Sequence, residues 1–272
     1  MTPVPLRVAA AQAASVPGDV DTNVATAVTL VTGAAERGAR VAVLPELFLT
    51  GYDESAWTHD IGLSLDDDRL APLSEVARLT STVVVVGAAV RRALDESTIS
   101  VLVVDDRGEI SAPYDKQHLC GAERDFFAAG GHGATIVVDG WDLGLGVCYD
   151  GCFPEHALSA TAGGAAAYLI PAAYYTGGEH RRDVYYAARA LDNGIYVVFA
   201  GLTGTCGSGS FCGGSAVYDP EGRPVVRVGT ESPAWAVADL DLDVVRRTQR
   251  DHPMAMHRLD SLGSRKRVVL TP

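Results

Sequence analysis

Leu143-Gly144-Leu145-Gly146-Val147-Cys148-Tyr149-Asp150 is an apolar, glycine-spaced run long enough for one buried strand, and it ends abruptly at a thiol followed by Tyr and Asp. The pattern predicts a strand over 143–148. The turn beyond it, Gly151-Cys152-Phe153-Pro154-Glu155, would aim the Cys148 side chain into a crevice at the carboxyl end of a sheet, where α/β folds carry their sites. Taken alone, Cys148 reads more simply as a small hydrophobe in a core strand, because free cysteines are among the most buried residues. Two other stretches, each also closing an apolar run, shift that balance.

Outward from this strand, runs of period 2 alternate with runs of period 3.6. Strands are predicted at Leu6–Ala11, Val41–Leu44, Val83–Val90, Ile99–Val104 and Thr135–Val138, with a further short strand after the turn Asp105-Asp106-Arg107-Gly108. Beyond the cysteine, strands are predicted at Ala167–Ile170, Tyr196–Ala200, Ser215–Tyr218, Val225–Val228 and Trp235–Ala238. Helices are predicted over Asp21–Arg37, Leu70–Leu79, Pro154–Gly163 and Glu179–Asn193. The result is an α/β chain with mixed sheet and two layers of helix. No repeat, low-complexity tract or composition shift marks an internal boundary, so 1–272 reads as a single domain.

The 272 residues are 47% hydrophobic, enough for one sizeable core. Apolar runs such as Val83–Val90 are too short to span a bilayer, and Met1-Thr2-Pro3-Val4-Pro5 lacks the basic start of a secretory signal. Five cysteines without a regular framework fit a reducing compartment, so the expected location is cytoplasmic. A formal net charge of −12 argues against nucleic acid and anionic membranes as partners. The small basic clusters, Arg91-Arg92, Arg181-Arg182, Arg246-Arg247 and Arg265-Lys266-Arg267, read as solvated faces or subunit contacts.

Val41-Ala42-Val43-Leu44-Pro45-Glu46 places a carboxylate at the end of a buried strand, just after a proline that stops it. Ordinary glutamates are solvated, but one lodged before Leu47-Phe48-Leu49 would be buried, its pKa raised toward neutrality, and suited to act as a base. Lys116, in Tyr114-Asp115-Lys116-Gln117-His118-Leu119, would by default be a surface lysine. Its company argues otherwise: a thiol, a carboxylate and an ammonium each follow a strand, so one sheet edge could present all three. Acyl transfer needs those types. A thiolate attacks a carbonyl or nitrile carbon, a carboxylate moves the protons, and a cation stabilises the oxyanion.

Leu44-Pro45-Glu46, Tyr114-Asp115-Lys116-Gln117-His118-Leu119 and the Gly146–Glu155 stretch together resemble the three catalytic signatures of the nitrilase, or carbon–nitrogen hydrolase, superfamily, in the family's order and with its wide spacings. The resemblance runs from Val4 to about Asp243. It implies a four-layer αββα sandwich, no cofactor, no metal, and pairing into a homodimer or larger even-numbered oligomer. The stretch from about residue 244 to 272 would then be a tail used in that assembly. By matched position, Cys148 is the nucleophile, Glu46 the general base and acid, and Lys116 the oxyanion stabiliser. Glu123 sits where many amidases of the family carry a second glutamate close to the lysine. Tyr149, Asp150 and Glu155 match the pattern around the cysteine and are expected to support its loop, and Arg189-Ala190-Leu191-Asp192-Asn193 resembles a family helix motif with Asp replacing Glu.

Cys148 and Cys152 form a Cys-x3-Cys pair, too little by itself for zinc. Cys120, Cys206 and Cys212 read as incidental thiols. The run Gly204–Gly214 holds no phosphate-binding pattern and reads as a mobile loop beside the site. No Gly-x-Ser-x-Gly elbow or His-Glu-x-x-His helix occurs, which removes serine hydrolases and zincins as simple readings. Nitrile-hydrolysing branches of the family usually follow the nucleophile with Trp-Glu, so Tyr149-Asp150 points to hydrolysis of a small-molecule amide. A nitrilase, an N-carbamoyl amidohydrolase and a catalytically silent scaffold are the alternatives. Tyr52, Tyr174, Tyr175, Phe126 and Phe211 are the expected acyl-pocket residues.

Overall fold

In the computed structural model, which describes residues 4–57, 61–259 and 261–270, the chain forms two six-stranded sheets. The first half runs β1 (Leu6–Gln12), α1 (Val20–Glu36), β2 (Val41–Val43), α2 (Ala71–Thr80), β3 (Val83–Ala93), β4 (Glu96–Val104) and β5 (Ile110–Asp115). After a short helix α3 (Glu123–Phe126) come β6 (Thr135–Val138), β7 (Trp141–Leu145), α4 (Pro154–Ala162), β8 (Ala167–Ala172), α5 (Glu179–Asn193) and β9 (Tyr196–Gly201). A hairpin of β10 (Thr203–Cys206) and β11 (Gly209–Cys212) precedes β12 (Ala216–Tyr218), β13 (Pro224–Arg227) and β14 (Ala234–Leu240), and helices α6 (Leu242–Asp251) and α7 (Met254–His257) follow.

The two sheets share one plan. β1, β2 and β3 are parallel and joined through α1 and α2; β7, β8 and β9 are parallel and joined through α4 and α5. Antiparallel strands extend both sheets, giving the orders β14-β1-β2-β3-β4-β5 and β13-β12-β9-β8-β7-β6. Parallel strands are buried on both faces and read as continuous apolar runs, as Val41–Val43 and Val83–Val90 do. The inner faces meet where β1, β2 and β3 pack on β8 and β9, while α1 and α2 cover one outer face and α4 and α5 the other. This is the expected four-layer αββα arrangement.

Caps fix where the helices begin and end. The Asp19 carboxylate accepts the Thr22 N–H at 3.1 Å to start α1, and Gly194 ends α5 in the left-handed region at φ 61°. Three expectations need correction, and one element was missed. The strand predicted over 143–148 ends at Leu145, because the Val147 N–H is given to the Asp150 carboxylate at 3.0 Å rather than to a neighbouring strand. Gly204–Gly214 is not a free loop: it forms most of the β10–β11 hairpin, held at its turn by Ser208 N donating to Asp53 Oδ2 at 2.8 Å. The tail expected from residue 244 starts inside α6, where Val245 and Thr248 are buried and Gln249 Nε2 donates to Asn193 O at 3.3 Å. The short helix α3 had no signal beyond a local acidic pair and was missed.

Candidate active site

Three strand ends converge on one site, in which Lys116 and Cys148 line a cavity and Glu46 is bonded to Lys116. β2 stops before Leu44-Pro45-Glu46, β5 stops before Lys116, and β7 runs out three residues before Cys148. All three side chains are buried, Glu46 and Lys116 fully. The Lys116 ammonium donates to Glu46 Oε1 at 2.6 Å and to both oxygens of Glu123 at 2.7 Å. Glu123, on α3, also accepts the Cys120 N–H at 2.8 Å and the Tyr52 hydroxyl at 2.5 Å, so it anchors the lysine to two segments at once. Each charge is met by a hydrogen-bonded opposite charge, the condition under which charges survive burial.

Cys148 opens a tight 3-10 turn, Cys148–Cys152, with φ at 42°, a region costly for any side-chain-bearing residue. What holds it there is Asp150. Its carboxylate, fully buried, accepts the N–H groups of Val147 (3.0 Å) and His118 (2.9 Å) and the Tyr114 hydroxyl (2.6 Å), and lies 2.8 Å from His118 Nδ1. The Tyr114 hydroxyl is also 2.7 Å from His156 Nε2, and His156 Nδ1 is 2.6 Å from the Tyr168 hydroxyl. Tyr186 donates to Cys148 O at 2.9 Å from the opposite side. Gly146 is required where the strand leaves the sheet, since a Cβ there would collide with the Tyr168 ring.

Electrostatics set the resting proton positions. Burial, with the Glu46 carboxylate adding to it, pushes the Cys148 thiol well above its ordinary value, against the opposing pull of Lys116. Burial likewise lifts Glu46 from 4.5 to about 7, although Lys116 holds it down and Glu123 pushes it further up. Burial works against the Lys116 charge, but Glu46 and Glu123 outweigh it and the ammonium is held more firmly than usual. Glu46 Oε2 has no hydrogen-bond partner among the described residues, leaving one carboxylate oxygen available to a proton. The resting site is therefore a neutral thiol beside a carboxyl group that titrates near neutrality.

The cavity, of about 320 Å³, is lined by Lys116, Glu123 and Cys148 together with Tyr52, Tyr149, Tyr174 and Tyr175. Phe211 and Phe126 lie behind that wall instead: Phe211 stacks on Tyr175 at 4.8 Å between ring centroids, and Phe126 packs on Trp57 at 5.9 Å. Glu155 is exposed in the first turn of α4 and makes none of the bonds that hold the cysteine turn; His156, its neighbour, does. The sequence reading missed Arg181 and Tyr185 of α5, which also line the cavity. Their signal was the period of that helix, which puts 178, 181 and 185 on one face. No group of three or more His, Cys, Asp or Glu side chains suited to a metal ion occurs among the described residues.

A strand-end thiol facing a carboxylate and an ammonium, in a four-layer αββα sandwich, defines a hydrolase that works through cysteine. The sequence pattern of the carbon–nitrogen hydrolase family matches residues 7–250, and the chain belongs to that family. It is 30% identical to the deaminated glutathione amidase of Homo sapiens over 94% of this chain and 83% of that protein. It is 31% identical to a nitrilase of Pyrococcus abyssi over 83% of this chain and 86% of that protein. Among solved structures, an amidase from Nesterenkonia sp. AN1 superposes with a TM-score of 0.80 at 28% identity, covering 93% of this chain and 97% of that one; there the acetamide moiety of fluoroacetamide is joined covalently to the active-site cysteine.

Proposed function

We propose that the protein hydrolyses a small amide to a carboxylic acid and ammonia or an amine, through a thioester on Cys148. The observation that carries this reading is the Lys116 ammonium held at 2.6 Å from Glu46 and 2.7 Å from Glu123 in the cavity that Cys148 lines. Glu46 takes the thiol proton as Sγ attacks the carbonyl carbon. The carbonyl electrons move to oxygen, where Lys116 stabilises the alkoxide without giving up its proton. Glu46 then passes its proton to the leaving nitrogen as the C–N bond breaks. In the second half, Glu46 accepts a proton from water, whose oxygen attacks the thioester carbon, and returns that proton to Sγ as the C–S bond breaks and the acid leaves.

The amide is preferred to the nitrile on the Tyr149-Asp150 pair and on the amidase relatives. The test is ammonia release from matched amides and nitriles, with intact-mass detection of an acyl adduct. Adducts on wild type that vanish in Cys148→Ala support the reading; turnover of nitriles alone would replace it with a nitrilase. For location, all five cysteines are unpaired, which fits a reducing cytoplasm.

A further inference from the structure

The segment that carries Lys116 is tied to the cysteine turn on both of its sides. Asp150 takes the Tyr114 hydroxyl at 2.6 Å and the His118 N–H at 2.9 Å, from residues that stand just before and just after Lys116. The same carboxylate takes the N–H of Val147, the neighbour of Cys148, at 3.0 Å. Asp150 therefore sets the register between the oxyanion stabiliser and the nucleophile. What orients its partner Tyr114 lies farther off.

The hydrogens along that line can be counted. A carboxylate has none to give, so Tyr114 donates to Asp150 and spends its one hydrogen there. Its oxygen, 2.7 Å from His156 Nε2, is then an acceptor, and Nε2 carries the hydrogen. Burial pushes the His156 pKa down against the opposing pull of Asp150, so the ring is neutral and Nδ1 is bare. Nδ1 accepts the Tyr168 hydroxyl at 2.6 Å. Tyr114 belongs to β5 of the first sheet, Tyr168 to β8 of the second and His156 to α4, so this line of donors joins both sheets, with every member buried. Gly146 keeps room for its far end: a Cβ there would lie 2.2 Å from the Tyr168 hydroxyl oxygen.

Without the Tyr168 hydroxyl the imidazole is free to carry its hydrogen on Nδ1. Nε2 would then be bare, the Tyr114 hydroxyl would turn to it, and Asp150 would lose the bond that ties it to β5. Resting on the amidase reading above, we infer that His156 and Tyr168 are positioning residues for the reaction: they fix the direction in which Tyr114 donates and, through Asp150, the placement of Cys148 against Lys116.

His156 and His118 also line a second cavity of about 460 Å³ that shares no lining residue with the catalytic one, so free imidazole can reach the place of a ring removed by His156→Ala. The experiment reads ammonia release as kcat and KM in wild type, Tyr168→Phe, His156→Ala and His156→Ala with added imidazole, with folding followed by circular dichroism. In parallel, the rate at which methyl methanethiosulfonate modifies Cys148 is read on its peptide by mass, which needs no amide substrate. Tyr168→Phe should lower kcat about tenfold and His156→Ala about 100-fold, with KM moved by less than about twofold, since small displacements of reacting groups cost turnover of that order. Both variants should slow the modification of Cys148, and imidazole should restore His156→Ala but not Tyr168→Phe. Wild-type kcat in a folded Tyr168→Phe, or a raised KM at unchanged kcat, overturns the positioning role. A loss in His156→Ala that imidazole leaves in place makes the ring a packing group and overturns it as well. Should wild type release ammonia from no amide and form no acyl adduct on Cys148, the amidase reading falls, and the modification rates decide the positioning role alone: equal rates in wild type and Tyr168→Phe overturn it.

Discussion

Cys148 is held in a backbone region that resists side chains, and its thiol is protonated at neutral pH because burial and Glu46 both oppose the thiolate. The nucleophile must therefore be made in the act of attack, and the group that makes it is Glu46, shifted from 4.5 to about 7. Only ionised Glu46 can accept the proton. Activity should thus rise with pH through an apparent pKa near 7, falling about tenfold per unit below it, and should not wait for the ordinary thiol range near 9. A kcat/KM profile flat from pH 5 to 8 would remove Glu46 from this role. Lys116 opposes the upward shift of Glu46, so Lys116→Met should move the acidic limb to higher pH as well as cut kcat by ~10²–10³ with little change in KM. The neutral side chain leaves two buried carboxylates uncompensated, so the variant's folding is checked by circular dichroism alongside. Retained kcat with a raised KM would make the ammonium a substrate-binding group instead.

At the scale of elements, the site is made by chain segments that leave the sheets early and are braced from behind. The brace behind Glu46 is β3: a Cβ on Gly87 would lie 2.5 Å from Glu46 Cα and 2.5 Å from Leu47 N, both backbone atoms that cannot swing away. Gly87→Ala should shift the Glu46 segment, lowering kcat more than tenfold and costing about 1–3 kcal/mol in thermal unfolding. Gly131→Ala, where a Cβ meets nothing within 4 Å, is the control and should change neither. Equal behaviour of the two variants would show that β3 does not fix Glu46. The strand ends were legible because buried parallel strands leave unbroken apolar runs, and a charged residue just past such a run stands out. Asp150 was legible only as a neighbour of the cysteine: its partners are Tyr114 in β5, His118 in the turn after it and Val147 beyond the end of β7, and no local pattern encodes a bond between Asp150 and Tyr114, 36 residues apart. The β10–β11 hairpin was hidden by its glycines, which read as a loop until Asp53, 155 residues away, supplies the partner for its turn. Phe126 is close in sequence to the lining residue Glu123, and Phe211 lies in the β10–β11 hairpin stacked on the lining residue Tyr175, but both sit one layer back from the cavity.

For the whole molecule, the unbalanced feature is the chain after α7. Leu259, Leu262, Val268, Val269 and Leu270 are 67%, 88%, 64%, 71% and 87% exposed, in a segment with no helix or strand among residues 258–270 apart from position 260, which lies outside the described residues. Isolated exposed apolar side chains are ordinary, but three leucines and two valines between residues 259 and 270, where none of the described residues is buried, call for a covering surface. The reading of the tail as an assembly element, proposed here for a second copy of this chain, accounts for that. It predicts that the intact protein sediments as a dimer or larger even-numbered oligomer at micromolar concentration, the range in which an obligate interface holds. Removing residues 258–272 should leave the far-ultraviolet circular dichroism of the αββα body unchanged, since none of the described residues in that segment is buried, while shifting the sedimentation toward a monomer lighter than the 28.5 kDa of the full chain. If the intact protein already sediments as a monomer, the tail has no partner copy to cover it. If truncation leaves the oligomer intact, the interface lies on another face and the tail plays no part in holding it.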